Sequence, residues 1–272
     1  MKRFFFTLIA SVSILGMTSC VYVNPNLGNQ TSPETVKEVR AVPLKQMSDF
    51  TAIATKQAIK TAYTQAGKPS IKVKSNIKDP NLLDIRVDDK KLIIGYKPTL
   101  SSIDGNLKTF VEISGYDVNE FEVSSAGEIT AYPPYATNGE LELKASSGGN
   151  IAFSHFKAKE LKVEASSAAE LILEWATTED VEAEASSGAS IKFSEVTANQ
   201  ISADASSGAV IKLNGKTKNV SYEASSGASI KADNLVAETG TAKSSSGADV
   251  DANVKQLTKK ASSGGIVKNV IQ

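Results

Sequence analysis

The sequence predicts an all-β fold, a right-handed parallel β-helix made of coils of about 20 residues and preceded by an N-terminal β region. Two observations predict it. Ala-Ser-Ser-Gly, or a close variant, recurs along the second half with its first serine at Ser124, Ser146, Ser166, Ser186, Ser206, Ser225, Ser245 and Ser262. A fixed period that short belongs to a solenoid of stacked coils rather than to one closed core. Between the copies apolar residues alternate with polar ones, as in Leu161, Val163, Ala165, Ser167, Ala169, Leu171 and Leu173. Period two means strands with one face turned inward.

In chain order, residues 1–19 read as a lipoprotein signal peptide: Met1-Lys2-Arg3, an apolar run from Phe4 to Leu15, then small residues up to Cys20. Twelve residues of helix rise only about 18 Å, too little for a hydrocarbon core of roughly 30 Å. Gly16-Met17-Thr18-Ser19-Cys20 resembles a bacterial lipobox, with Met17 where leucine is usual. That resemblance implies cleavage before Cys20 and a diacylglyceryl thioether on its sulfur, so the membrane is an expected partner through a lipid anchor. Cys20 is the only cysteine, and a single thiol excludes a disulfide framework.

Residues 20–40 hold the lipidated cysteine and a flexible tether, rich in Asn, Pro, Thr and Gly and without periodicity. Residues 41–123 form an N-terminal β region or the first irregular coils. Strand patterns run from Thr51 to Thr61, Ser70 to Lys74, Leu83 to Val87 and Leu92 to Tyr96, and Asp88-Asp89-Lys90 gives a hairpin signal between the last two. Residues 124–272 are the β-helix repeats. A third apolar patch, at Phe156, Val196, Leu235 and Val254, gives each coil three sides. The period exceeds the roughly 18 residues of a left-handed hexapeptide helix, and the asparagine ladder of leucine-rich repeats is missing.

The second serines, Ser147, Ser167, Ser187, Ser207, Ser226 and Ser246, share the parity of the inward residues. They are expected to form a structural ladder of buried, mutually bonded hydroxyls at a tight corner. Aromatics at Trp175, Tyr132 and Tyr135 plug the helix side or stack on a sugar, the plug being the favoured reading. Pro133-Pro134 marks an insertion between coils.

The export signal, the Asp49-Phe50-Thr51-Ala52-Ile53 opening, the Leu92-Ile93-Ile94 strand and the serial Ala-Ser-Ser-Gly-Ala coils resemble the head GIN domain family of putative autotransporter adhesins, found in Bacteroidota envelope lipoproteins. The resemblance runs over roughly residues 45 to 270. It implies a β-helical fold and an envelope location, here an outer-membrane lipoprotein on the cell-surface or the periplasmic face. No barrel-forming strands follow the last coil, so adhesion would be exerted from the lipid anchor.

Lys plus Arg equals Asp plus Glu, so net charge steers the chain toward no nucleic acid. Aligning the coils puts Glu164, Glu184, Asp204 and Glu223 in one outward column about 4.8 Å apart, within a longer series that starts at Glu122 and Lys144 and ends at Lys243 and Lys260. Beyond the corner Lys192, Lys212 and Lys231 form a second column. The two strips are the candidate binding surface, the carboxylates for cationic groups or Ca²⁺ and the lysines for an anionic polymer; the plainer reading is a solvated wall that keeps a sheet soluble.

Regular repetition of carboxylates makes a lattice, not one catalytic pair, and no hydrolase elbow, nucleotide loop or paired histidines occur. Ser154-His155-Phe156-Lys157 matches Ser-x-x-Lys without any companion motif. No enzyme, cofactor or metal site is expected. The functional expectation is a non-catalytic interaction module that binds a glycan or protein, with a polysaccharide-cleaving enzyme and a periplasmic envelope-maintenance scaffold as alternatives.

Overall fold

The computed structural model describes residues 38–41, 50–100 and 106–271. The signal at 1–19, Cys20 and the tether up to residue 37 lie outside the described residues. The first described strand is β1 (Glu38–Ala41), followed by β2 (Ala52–Thr55) and β3 (Lys60–Thr64). Next come β4 (Ser70–Ser75), β5 (Leu83–Asp88), β6 (Lys91–Tyr96) and β7 (Thr109–Ser114). β8 (Glu120–Val123), β9 (Glu128–Tyr132) and the short β10 (Tyr135–Ala136) lead into the regular coils.

The regular coils are strand pairs: β11 (Glu140–Ala145) with β12 (Asn150–Lys157), β13 (Glu160–Ala165) with β14 (Glu170–Thr177), and β15 (Asp180–Ala185) with β16 (Ser190–Thr197). From β17 (Gln200–Ala205) onward strands run through the third side without a break, as β18 (Val210–Ala224), β19 (Ser229–Ser244) and β20 (Asp249–Ala261), and the stack closes on β21 (Ile266–Asn269). Each strand pairs in parallel with its equivalent one coil away. The architecture is the β-solenoid that the sequence predicts.

The stack begins earlier than its signature. β2 and β3 pair in parallel with β8 and β9, although no Ala-Ser-Ser-Gly separates them. Their corner is Lys56-Gln57-Ala58-Ile59, with Gln57 and Ala58 at φ 59° and 57°. The chain then doubles back. β6 and β7 pair in parallel with the opposite edges of β2 and β3, so this coil is laid outside the one that precedes it in sequence. β5 covers β6 in an antiparallel hairpin, β4 covers β7, and β1 covers β4. Asp89 and Lys90, both at positive φ, make the tight turn expected at Asp88-Asp89-Lys90. Antiparallel strands thus finish the N-terminal edge of a parallel stack, where unpaired strand groups would otherwise recruit another chain.

The core is one column of inward side chains. At its N-terminal end Tyr63, Phe121, Tyr135 and Phe153 pack edge to face, with Tyr63 and Phe121 centroids 4.9 Å apart and Phe121 and Phe153 5.0 Å apart. The two phenols donate to the backbone carbonyls of Tyr116 and Val118, each at 2.7 Å, and burial raises both above the ordinary tyrosine value. Tyr135 is therefore a plug. The third side is sealed by Phe156, Val196, Leu235 and Val254, all buried. Each such side chain contributes about 1.5–3 kcal/mol. Trp175 departs from the plug reading: it points outward and is 53% exposed.

The corner departs from expectation as well. In each signature copy the second serine lies at φ between 48° and 54°, and the residue after it, Gly or Ala, is also at positive φ. The fourth residue's N–H returns to the first serine's carbonyl, as from Gly149 to Ser146 at 2.9 Å and from Ala209 to Ser206 at 3.1 Å. Two positive φ values under an i to i+3 bond are the mark of a type I′ turn. Such a turn resets the alternation, so Ser147, Ser167, Ser187, Ser207, Ser226 and Ser246 face solvent. A ladder does run through them, but it is made of backbone. The carbonyls of Ser167, Ser187, Ser207, Ser226 and Ser246 each accept the N–H of the third turn residue one coil earlier, at 3.0–3.1 Å.

Candidate functional site

The outward column N-terminal to the corner is in unbroken parallel register from Ala54 through Glu122, Lys144, Glu164, Glu184, Asp204, Glu223 and Lys243 to Lys260. Beside it stand the first serines of each corner, held by their own N–H on the carbonyl of the alanine one coil back, as from Ser186 to Ala165 and from Ser206 to Ala185 at 2.9 Å. The strand face and the turn that follows it meet at an angle. Between them lies a groove of about 870 Å³ lined by this column and by Ser124 to Ser262. It spans nine rungs, roughly 38 Å at about 4.8 Å per rung.

The groove exists because the corner residues are small. Ala145, Ala165, Ala185, Ala205 and Ala224, each just before a serine pair, are buried and too small to fill it. Val123 stands where the other copies have a smaller residue, and the fourth turn residue is glycine both in its own corner and in the next: a Cβ would meet a Val123 methyl at 3.0 Å from Gly127 and at 2.8 Å from Gly149. The backbone path stays constant while the side chains vary.

Charge is compensated at the two ends of the groove and not in its middle. At the N-terminal end Lys91 reaches Glu120 at 3.1 Å and Glu122 at 2.6 Å, and Lys144 reaches Glu142 at 2.7 Å. Burial acts to raise the Glu122 carboxyl, but the hydrogen bond it accepts from Lys91 and the charges of Lys91 and Lys144 bring it below its ordinary value. Lys162 holds Glu164 at 3.0 Å, and Lys243 pairs with Glu223 at the far side. Glu182, Glu184 and Asp204 make no ion pair among the described residues.

The central carboxyls respond accordingly. Glu184 is raised above its ordinary value by burial and then by Glu182, Glu164 and Asp204, with Lys162 opposing. Asp204 is raised by burial and then by Glu223 and Glu182, with Lys243 opposing. A ligand that brings positive charge or hydroxyl donors to these two rungs relieves repulsion already present. Among the described residues no three acidic, histidine or cysteine side chains come close enough together to hold a metal ion.

Lys192, Lys212 and Lys231 are in register and exposed on β16, β18 and β19, but they lie on the other flank of the corner and do not line the groove. The two strips therefore do not form one cleft. The acidic strip instead shares its groove with the first serines. Ser-Ser-Gly as a two-residue turn with left-handed backbone was the signal that would have placed the first serine, not the second, against the strand face.

Comparison with known proteins gives a consistent outcome. A family model described as "Putative auto-transporter adhesin, head GIN domain" matches residues 49–204 and 176–270. Among curated proteins nothing matches. A putative adhesin from Parabacteroides merdae superposes with a TM-score of 0.74 at 16% identity, over 86% of this chain and 95% of that one. A putative adhesin from Bacteroides fragilis gives 0.60 at 18%, over 82% and 93%. A protein described as a putative lipid binding protein, from Parabacteroides distasonis, gives 0.56 at 14%, over 86% and 96%. At these identities the likeness is one of fold.

Proposed function

This chain belongs to the putative auto-transporter adhesin, head GIN domain family, and from that membership we propose that it is a non-catalytic interaction module of the cell envelope that binds an extended glycan or protein. The observation that carries this reading is the groove. It presents chemically similar rungs, carboxylate beside hydroxyl, over the four successive coils from Glu164 to Glu223, with Lys144 and Lys243 on the flanking rungs. A hydrolytic site needs one singular pair of carboxyls at a set separation. A lattice of near-equivalent positions instead suits a polymer bound at many weak points, whose affinity accumulates along its length.

The anchor completes the reading. Cys20, lipidated in the manner of a lipobox cysteine, would hold the module on the outer membrane, and the segment that follows it would set its distance from the bilayer, shortened from the expected residue 40 because Glu38–Ala41 is strand β1.

The test is binding of the full chain to arrayed polysaccharides and extracellular proteins, repeated with a Glu184→Lys, Asp204→Lys double variant. The expected result is a ligand that the parent retains and the double variant loses by at least tenfold. Equal retention by both proteins would remove the groove from the argument. Release of new reducing or unsaturated ends from any polysaccharide would replace adhesion by cleavage. Protease treatment of intact cells, with permeabilised cells as control, then decides between the outer and the periplasmic face.

A further inference from the structure

Trp175 is the chain's only tryptophan and it stands in solvent on the third side of the coil, among residues that are otherwise polar or small. Parallel register sets His155, Trp175 and Glu195 on successive rungs. The imidazole lies against one face of the indole, centroids 5.6 Å apart and planes within 11°. Register places Glu195 on the rung beyond, on the side away from His155, and the indole remains more than half exposed. The ladder slips between Phe193 and Val196, beside Glu195, and such irregularities re-aim side chains. In the next outward column Lys157, Thr177 and Thr197 follow one another on the same rungs.

We propose that the open face of Trp175, with Glu195 on the adjoining rung, is a stacking subsite for a neutral pyranose ring of a glycan. The proposal deepens the glycan arm of the adhesive reading and rests on it. An indole buttressed by a parallel ring is a flat, rigid, electron-rich platform, and the C–H face of a pyranose is its apolar complement. A sugar seated there has its hydroxyls at the rim, where the Glu195 carboxylate accepts and the Thr177 and Thr197 hydroxyls donate or accept. The platform is too isolated for an apolar protein surface, since its neighbours His155, Lys157, Thr177 and Glu195 are polar. Carboxylate so close to the ring disfavours an anionic sugar. The subsite lies on a different side of the coil from the groove, so the two contact separate stretches of a polymer.

A single tryptophan makes the test direct, because emission excited beyond tyrosine absorption reads this position and no other. The full chain would be titrated with hexaoses of β-1,4-linked glucose, mannose and N-acetylglucosamine, following tryptophan emission, acrylamide quenching and calorimetric affinity. The expected result is a shift in emission and protection from quenching with at least one hexaose. Trp175→Ala should then weaken calorimetric binding at least tenfold and Glu195→Gln severalfold, with melting temperatures unchanged because both side chains are on the surface. A hexaose bound equally by parent and Trp175→Ala, yet lost by the Glu184→Lys, Asp204→Lys variant, would overturn the subsite and leave the groove standing. Binding of proteins alone, or an emission change with spermidine and with no hexaose, would also overturn it. No ligand of any kind for parent or variants would overturn the adhesive reading along with it.

Discussion

Ser207 sits at φ 52° with its side chain in solvent, and the consequence is measurable. Were its hydroxyl part of a buried ladder, Ser207→Ala would strand a partner and cost about 1–3 kcal/mol. The turn requires less: alanine already occupies positive φ at Ala126 and Ala168, so Ser207→Ala should change the unfolding free energy by no more than about 0.5 kcal/mol. Ser207→Val, β-branched in the left-handed region, should cost about 1–3 kcal/mol in the same denaturant titration. Glu184 makes a second case. Its folded carboxyl titrates above the ordinary value, so the folded state holds that proton more tightly than the unfolded chain does. Stability is therefore lost as pH rises from the ordinary glutamate range through the raised value, and the penalty stays in full above it. Glu184→Gln should melt about 1 °C higher than the parent at pH 7, with the gap closing below about pH 4. A gap that persisted in acid would deny the electrostatic origin. The columns on either side of the corner could be read by counting along the sequence, because strand alternation and period fix which residues share a rung. What the counting missed was the turn. A two-residue left-handed corner breaks the alternation it interrupts, and only the glycine that follows most of the serine pairs carries that information.

At the scale of the element, each coil is a strand, a type I′ corner, a second strand and a bent third side, and it tolerates loss of residues on that third side alone. Between β19 and β20 the register jumps from Ala232–Ala252 to Val236–Asn253, so the shorter coil drops its residues there. Gly215, at φ 125°, is where β18 crosses the third side against β16, and a Cβ there would fall onto the Val196 carbonyl. Gly215→Ala should cost about 3 kcal/mol or more and lower the melting temperature by several degrees, since both backbone strain and overlap must be accommodated. A near-neutral result would mean that the third side shifts freely. The signature coils and the β5–β6 hairpin were legible because their turn residues announce them. The β2–β3 coil was not, since Lys56-Gln57-Ala58-Ile59 carries neither serine nor glycine and its backbone is imposed by the coils packed beside it. The detour that lays β6 and β7 outside β2 and β3 leaves no local trace in composition at all.

Over the whole molecule the two edges are managed differently. The N-terminal edge is covered by antiparallel strands, whereas on the last rung of the other ladder Lys259 occupies the inward column after Tyr222 and Ala242. It is exposed, and an inward charge at an edge disfavours the stacking of another sheet. Lys259→Val should therefore promote end-to-end association, seen as dimers or larger species at micromolar concentration in analytical ultracentrifugation, while the parent is unaffected by the same dilution series. A monomeric variant would shift that protective role to the neighbouring Lys260. Nothing local in the sequence marks that lysine, and its inward direction follows only from the register.

The parallel ladders also determine how the molecule meets force. Their hydrogen bonds run along the stack, so tension applied between its two ends loads the coils in series. The weakest neighbouring pair gives way first while the rest stay folded. Each coil that yields removes about 4.8 Å of stack and releases about 20 residues, which extend to roughly 70 Å. A stack built this way lengthens stepwise under a tug, so a sudden pull is spread over many small ruptures instead of reaching the far end at once.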